Sequence, residues 1–452
     1  MATTRKINIS EVVENSKMGA FHTVVGILCG LCVMIDGFDV QALGYAAPAL
    51  IKDWKIAGSA LGPVFSAALF GVLIGSLAFS VVADKIGRRP MLIVATLFFS
   101  IMTFWAGRVN TINELLLVRF IAGMGLGGIM PNALALMGEY TPSRSRASMT
   151  VIIANAFNIG AMLGGFVAAW LIPSFGWRSV FYFGGAIPLA IAILMIFFLP
   201  ESLQLMVLRG HDRNKISRWL KRVDAAAPTG NDVEYVAREE KKEGVPVIHL
   251  FSGGRAGVTV LLWVIFFLNL LNLYLLASWL PTVVSASGYS TGTAVMVGTT
   301  LQAGGSIAGF ALAVIIGRFG LVPSLAVGFG AAAVCIGMIG QPGIPLAALL
   351  AVVFIAGWGV PGGQNLLNAL ATSYYPTYLR STGVGWCLGI GRMGAVVGPL
   401  FAGEMMRRHL PNQQLFMVAG SLAVIATVAI ICLRFLMKPQ QEISAAKQVL
   451  VH

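Results

Sequence analysis

The chain has 452 residues, 57% of them hydrophobic and only 11% charged, and its mean hydropathy is +0.83. A soluble protein of this length has no core large enough to absorb so much apolar surface, so water-soluble globular classes are excluded in favour of a multi-spanning membrane protein. The net charge of +13 does not indicate nucleic acid, because the basic residues lie mostly between apolar runs and not as a patch on a water-facing fold.

Runs of about 20 apolar residues predict the membrane spans in order. After a polar segment, 1–19, six spans fall near 20–47, 59–83, 91–109, 113–137, 147–171 and 178–199. A charged stretch, 201–256, separates them from six more near 257–284, 291–316, 321–340, 344–370, 381–403 and 412–436, and a tail, 438–452, follows. The expected architecture is an all-α membrane protein of twelve transmembrane helices in two six-helix bundles, 20–200 and 257–437. With both termini inside, 23 Lys and Arg fall in inner segments and six outside, leaving Arg119 and Arg392 in the membrane. That asymmetry sets both termini, and the 201–256 segment, in the cytoplasm.

The first span carries two acids, Asp36 and Asp39, in the run VVGILCGLCVMIDGFDVQALGYAA. Three residues apart, they share one helical face, and that face must look into protein or a water-filled cavity because a carboxylate facing lipid is costly. The five cysteines all lie in apolar runs, so no disulfide framework is expected, and Cys29-x-x-Cys32 lacks the βαβ context of a redox motif. No cleavable signal precedes the first span, and the sequon at Asn8-x-Ser10 falls in a segment assigned to the cytosol. The five histidines lie away from the membrane centre and no metal-ligand spacing occurs, so neither a metal, a cofactor nor an enzyme is expected.

The two halves repeat. Glu139-Tyr-Thr-Pro142-Ser-Arg-Ser-Arg146 between spans 4 and 5 matches Ser373-Tyr-Tyr-Pro376-Thr-Tyr-Leu-Arg380 between spans 10 and 11 at an offset of 234. The same offset maps Gly160-x3-Gly164 onto Gly394-x3-Gly398 and Asn158 onto Arg392. Gly71-x3-Gly75, Gly123-x3-Gly127 and Gly160-x3-Gly164 permit close helix contact in lipid. Gly389-x-Gly391-x-x-Gly394 matches the dinucleotide fingerprint in letters, but it sits inside an apolar span with no preceding strand, so that reading fails.

Between spans 2 and 3, Asp84-Lys-Ile-Gly87-Arg88-Arg89 resembles the core signature of the major facilitator superfamily, with Ser80 where the usual preceding glycine stands. The equivalent Gly317-Arg318-Phe319-Gly320 lacks the acid. Asp36-Gly37-Phe38-Asp39, with Pro48 and Trp54 after it, and Gly391-Arg392-Met393-Gly394 followed by Gly398-Pro399, resemble the aromatic acid:proton symporter family within that superfamily. The resemblance implies proton-coupled import of a benzoate or hydroxybenzoate across a bacterial inner membrane, for catabolism. It also implies that Asp84, Arg88, Glu139 and Arg146, with Arg380 in the second half, latch a cytoplasmic gate.

On the residues themselves, Asp36 and Asp39 lie about 16 and 12 Å below the outer end of span 1, and Arg119 about 9 Å below that of span 4, at ~1.5 Å per residue. An ion pair inside the first bundle is therefore expected. Arg392 sits near the middle of span 11 with no acid at its depth in that bundle. The expected division of labour gives the substrate carboxylate to Arg392, whose guanidinium can take both oxygens. Asp36 and Asp39 take the proton, since neighbouring carboxylates resist joint ionisation, and Arg119 favours its release. Two alternatives stay open: Arg119 simply pins spans 1 and 4, or Arg392 bonds backbone carbonyls at a glycine kink.

An aromatic ring needs apolar walls with a few polar contacts. Phe38, Tyr45 and Trp386, with Trp279 and Trp358, are candidate walls. Gln364 and Asn365, after the helix-opening Pro361-Gly362-Gly363, are candidate polar contacts, along with Asn269, Asn272 and Asn368. The partners expected are thus an aromatic acid, protons and the lipid bilayer, for a monomeric carrier. Competing readings are an importer of a non-aromatic organic anion, such as an unsaturated dicarboxylate, and a membrane sensor of such acids.

Overall fold

With no water in the bilayer core to receive backbone N–H and C=O groups, each apolar run must satisfy them internally, and here every one does so as helix. The computed structural model describes residues 5–449 except 211–212, 225–226, 229–232, 238–246, 342 and 377. A short strand, β1 (Arg5–Asn8), and a helix, α1 (Ile9–Asn15), precede the first bundle. That bundle comprises α2 (Ala20–Trp54), α3 (Gly62–Ile86), α4 (Arg88–Ala106), α5 (Ile112–Gly127) continued by α6 (Ile129–Tyr140), α7 (Ser143–Phe175) and α8 (Arg178–Phe198). The central segment contributes α9 (Leu203–Leu208), α10 (Arg213–Val223) and β2 (Val233–Val236). The second bundle comprises α11 (Ala256–Ala286), α12 (Thr291–Phe319), α13 (Leu321–Ile339), α14 (Leu346–Gly359) continued by α15 (Pro361–Tyr374), α16 (Arg380–Arg407) and α17 (Asn412–Val449).

Among the described residues, eleven spans are long and apolar enough to cross a membrane. The 29-residue α12, packed between α7 and α14, supplies the twelfth. Large apolar side chains such as Leu77, Val81, Phe197, Val327 and Phe435 stay exposed along the spans, as a lipid-facing belt requires.

Spans 4 and 10 are broken, where unbroken helices were expected. The first breaks at Gly128, whose carbonyl accepts a hydrogen bond from Asn132 Nδ2 at 2.7 Å. The second breaks at Val360, where Pro361 starts the next helix without an N–H to give. Paired interruptions at corresponding places in two halves are the usual mark of a central transport site.

The repeat read from the sequence is visible as matching helix contacts. A Cβ on Gly71 would run into the Phe120 carbonyl of α5, and one on Gly304 into the Phe354 carbonyl of α14. Gly123 meets the Ala68 carbonyl of α3 as Gly357 meets the Leu301 carbonyl of α12. Gly160 meets the Met34 carbonyl of α2 as Gly394 meets the Phe267 carbonyl of α11. Only glycine allows backbones this close, so these positions set helix spacing in both bundles.

The bundles join through α7 against α12, α3 against α16 and α2 against α11. At one end the seam is tight: Gly62 faces Gly403, Phe65 stands edge-on to Trp279 at 5.3 Å, and a Cβ on Gly44 would be 2.7 Å from the Ala277 carbonyl. By contrast, α6 and α15, which form the halves of spans 4 and 10 at the other end, pack extensively only within their own bundles.

The polar segments are not free tails. Strand β1 pairs in parallel with β2, Arg5 opposite Val233 and Asn8 opposite Val236. Ile7, Ile9 and Val13 share a small core with Met206, Ile216, Leu220 and Val233 at the inner end of the first bundle. Glu14 accepts from the backbone N–H of Ser143 at 3.0 Å and from its hydroxyl, which hold this carboxyl below the usual range. Arg144 donates to the Ser16 carbonyl. The sequence showed only polarity here, because a strand of four residues and helices of six to eleven are too short to stand out.

Gly160→Val is expected to lower the detergent melting temperature of the purified chain substantially, by overpacking of about 1–3 kcal/mol or more against an immovable backbone. Gly138→Val, at a glycine with nothing within 4 Å of its Cβ position, should change it little. Equal effects would mean that the close crossing does not hold the bundle.

Candidate functional site

Helix α2 places both acids, and Gly37 between them fixes how. A Cβ on Gly37 would strike the Phe157 carbonyl of α7, so this stretch of α2 lies directly on α7 and its neighbours turn into the bundle. Asp39 points to α5 and α4. Arg119 Nη1 lies 2.9 Å from Asp39 Oδ2 and 3.1 Å from Oδ1, its Nη2 donates to the Asp39 carbonyl at 3.1 Å, and Thr103 Oγ1 donates to Oδ1 at 2.8 Å. Phe181 lies 5.9 Å from the guanidinium carbon. Asp39 is fully buried and Arg119 is 1% exposed. The expected ion pair is therefore present, as a closed cluster of spans 1, 3 and 4, a geometry that favours the pinning alternative for Arg119.

Asp36 stands in contrast. It is 6% exposed, yet among the described residues it has no hydrogen-bond donor and no cation at ion-pair distance. Its electrostatic neighbours are Asp39, Arg392 and Tyr274. Arg392 is half-buried on α16, held by a hydrogen bond from Nη1 to the Val72 carbonyl of α3 at 3.3 Å, and among the described residues it has no carboxylate at ion-pair distance. Arg392 thus crosses from the second bundle to the first, in range of an acid that its own bundle lacks. The carbonyl contact expected as an alternative is real, but it uses a carbonyl of the opposite bundle.

Tyr274 of α11 is the residue that pattern reading missed. It is within electrostatic range of both Asp36 and Arg392. It also lines a small central cavity of about 10 Å³ with Val40, Leu43, Phe65, Arg119 and Ser278. A lone tyrosine in an apolar run carries no pattern; only its neighbours across the seam identify it.

The proposed aromatic walls are dispersed. Phe38 packs against Gly164, Gly184 and Phe183 inside the first bundle. Tyr45 is fully buried and donates to the Ala161 carbonyl at 2.9 Å, and Trp279 donates to the Pro399 carbonyl at 3.0 Å. Trp386 is 41% exposed and stacks on Trp263 at 5.5 Å, six residues from the inner start of α16. Trp358 lines a separate small cavity with Phe329 and Gly362. None of these five joins the Asp36–Tyr274–Arg392 group. The amides cohere better: Asn269 Nδ2 donates to Gln364 Oε1 at 2.8 Å, Gln364 Nε2 donates to Asn368 Oδ1 at 3.0 Å, and the buried Asn365 Nδ2 has no acceptor.

Near the end of α6, Arg88 Nη1 lies 2.5 Å from Glu139 Oε1, joining the start of α4 to α6. Arg146 turns back onto the Thr141 carbonyl at 3.1 Å, Arg380 is exposed, and the Asp84 side chain lies outside the described residues. Glu201 was not foreseen: its Oε1 accepts from the N–H groups of Arg88 and Arg89 at 3.1 and 3.2 Å, as a carboxylate does at a helix N-terminus. Gly87 beside it has φ +115° and no room for a Cβ against that carboxylate.

A family model described as Major Facilitator Superfamily matches residues 29–343 and 262–450. The chain belongs to that superfamily. It is a multi-pass membrane transporter, not an enzyme. It is 35% identical to a gallate transporter of Pseudomonas putida, over 94% of both chains. It is 36% identical to the 4-hydroxybenzoate transporter PcaK of Acinetobacter baylyi, over 96% of this chain and 95% of that one. Among solved structures, the xylose transporter XylE of E. coli in a partially occluded inward-open conformation aligns with TM-score 0.71 at 17% identity, over 91% of this chain and 97% of that one.

Arg119→Met should destabilise the carrier by about 3–5 kcal/mol, because it strands the Asp39 charge in a dry site. The double variant Asp39→Asn/Arg119→Met should recover most of that loss in detergent thermal denaturation. No recovery would show that the two side chains do not act as a pair.

Proposed function

We propose that this transporter imports an aromatic carboxylate across a bacterial inner membrane together with protons, its termini cytoplasmic, by rocking of the two bundles about the Asp36–Arg392 centre. The observation that carries the reading is that one buried acid and one guanidinium, from opposite bundles, lie in range of each other with no ion-pair partner of their own among the described residues. An anion bound to Arg392 and a proton bound to Asp36 enter together, so the centre keeps its net charge while each buried ion gains a partner, which lowers the cost of carrying it between dielectric environments. The relatives named for gallate and 4-hydroxybenzoate support an aromatic acid over a dicarboxylate.

Each residue then has a chemical task. Arg392 presents its fork to the two carboxylate oxygens, releasing the Val72 carbonyl, so substrate binding loosens a contact between bundles. Asp36 takes the proton, being the acid without a fixed partner, while Asp39 stays paired with Arg119. Arg88 and Glu139, with Glu201 capping the same loop, brace the inner end of the first bundle and form part of the inner gate.

The test is accumulation of labelled 4-hydroxybenzoate in proteoliposomes with an alkaline interior. Arg392→Lys should raise KM about tenfold or more, since an ammonium cannot replace a bidentate fork. Asp36→Asn should abolish accumulation driven by the pH gradient while leaving substrate exchange at equal pH. Full uphill uptake by Asp36→Asn with an unchanged pH profile would remove the proton role, and an unaltered KM in Arg392→Lys would remove the carboxylate role.

A further inference from the structure

Asn269 of α11 is 1% exposed, and its orientation is fixed by what surrounds it. Its Nδ2 donates to the Val360 backbone carbonyl at 3.4 Å and to Gln364 Oε1 at 2.8 Å. A backbone carbonyl can only accept, so the amide cannot be flipped. That choice propagates: Gln364 must accept at Oε1, and its Nε2 donates to Asn368 Oδ1 at 3.0 Å. The chain of amides runs with one polarity, and its head, Asn269 Oδ1, is a buried acceptor with no donor among the described residues. Asn272 Oδ1, one helical turn further along α11, is likewise buried without a donor.

The head of this chain lies at the level of Arg392. Gly391 packs on Leu270 and Phe266, and Gly394 on the Phe267 carbonyl, so the stretch of α16 that carries Arg392 is pressed against the stretch of α11 that carries Asn269. Helix α15, which holds Gln364 and Asn368, packs on both. Through the repeat, Met34 of α2 matches Phe267 of α11, which sets Asn269 in the place that Asp36 occupies in the first bundle. The second bundle therefore offers one end built for an anion and another built for a hydrogen-bond donor.

We propose that Asn269 is a specificity-determining residue that accepts, at Oδ1, the hydrogen bond of a phenolic hydroxyl on the substrate ring while Arg392 holds the carboxylate. The proposal rests on the functional reading above. A carboxylate has no proton to give and is repelled by an amide oxygen, so the two ends of the substrate are not interchangeable. A ring without a hydroxyl leaves Asn269 Oδ1 buried and unpaired, the situation in which a polar site discriminates most strongly against the analogue lacking the group. A methoxy substituent fails in the same way, because it accepts and cannot donate.

The experiment measures uptake of 4-hydroxybenzoate, benzoate and 4-methoxybenzoate by the full chain in proteoliposomes. The wild type should show a KM for 4-hydroxybenzoate at least tenfold below that for either of the others. Asn269→Leu should raise the KM for 4-hydroxybenzoate about tenfold and lower that for benzoate, whose binding then leaves no acceptor unpaired, benzoate uptake itself reporting a folded carrier. Should Asn269→Leu not fold, Asn269→Ser, which keeps a small polar group, should narrow the wild-type preference for hydroxyl over methoxy. Equal KM values for the three acids in the wild type would mean that water satisfies Asn269 Oδ1, and would overturn the proposal while leaving the carrier an aromatic-acid importer. An equal rise for all three acids in the variants would make Asn269 a packing residue. Transport of none of the three would overturn the functional reading and this one with it.

Discussion

Arg119 and Asp39 neutralise each other inside the first bundle, through two guanidinium contacts, a carbonyl and a threonine hydroxyl. Charges removed from water persist only where such partners meet them. Because Asp39 absorbs Arg119, Asp36 three residues earlier is left with no counter-ion of its own, in range of a guanidinium on the other bundle. The internal pair fixes spans 1, 3 and 4 as one body, and the split pair spans the seam between the two bundles. Had Arg119 served Asp36, the centre would hold no free acid, and Arg392 would face a neutral site.

Duplication supplies the frame on which this asymmetry is drawn. Glycines at matching places press α2 against α7 and α11 against α16, and α3 against α5 as α12 against α14. Backbone contact of this kind has no side chain that could adjust, so the geometry is conserved between the halves while the chemistry is free to differ. Asp36 and Asn158 in the first half correspond to Asn269 and Arg392 in the second. One half keeps the acid and the other the base, each replaced by an amide in its counterpart. A repeat of like charges would have repelled across the seam, whereas exchange of acid and base sets opposite charges there.

The inner end shows how the carrier can be braced without being closed. Glu201 caps the loop before α4, Arg88 ties that loop to Glu139, and the N-terminal strand is stitched to the central segment beneath the first bundle. All these contacts lie within the first half. They stiffen the first bundle, and α6 and α15 remain free of extensive contact with each other's bundle. At the outer end Gly62 on Gly403 and Phe65 on Trp279 close the same seam. The seam is tight at the end that carries Gly62 and Gly403 and looser at the end that carries α6 and α15.

By itself the sequence determined twelve spans, two bundles, the repeat, the acids of span 1 and the lone arginine of span 11. Each of these follows from a local rule, the length of an apolar run or the cost of a charge within one. The same local rules set Arg119 and the acids at similar depth, but depth is one coordinate, and it cannot say which of two acids three residues apart receives the guanidinium. Nor could composition distinguish Tyr45, which packs at the outer seam, from Tyr274, which meets the central charges, since both are single tyrosines in apolar helix. The tertiary structure decided these matters because they depend on helix rotation and on the approach of α11 and α16 to α2 and α3, contacts between residues more than 200 positions apart. It also decided the polarity of the Asn269–Gln364–Asn368 chain, which one backbone carbonyl sets and which no side-chain pattern encodes.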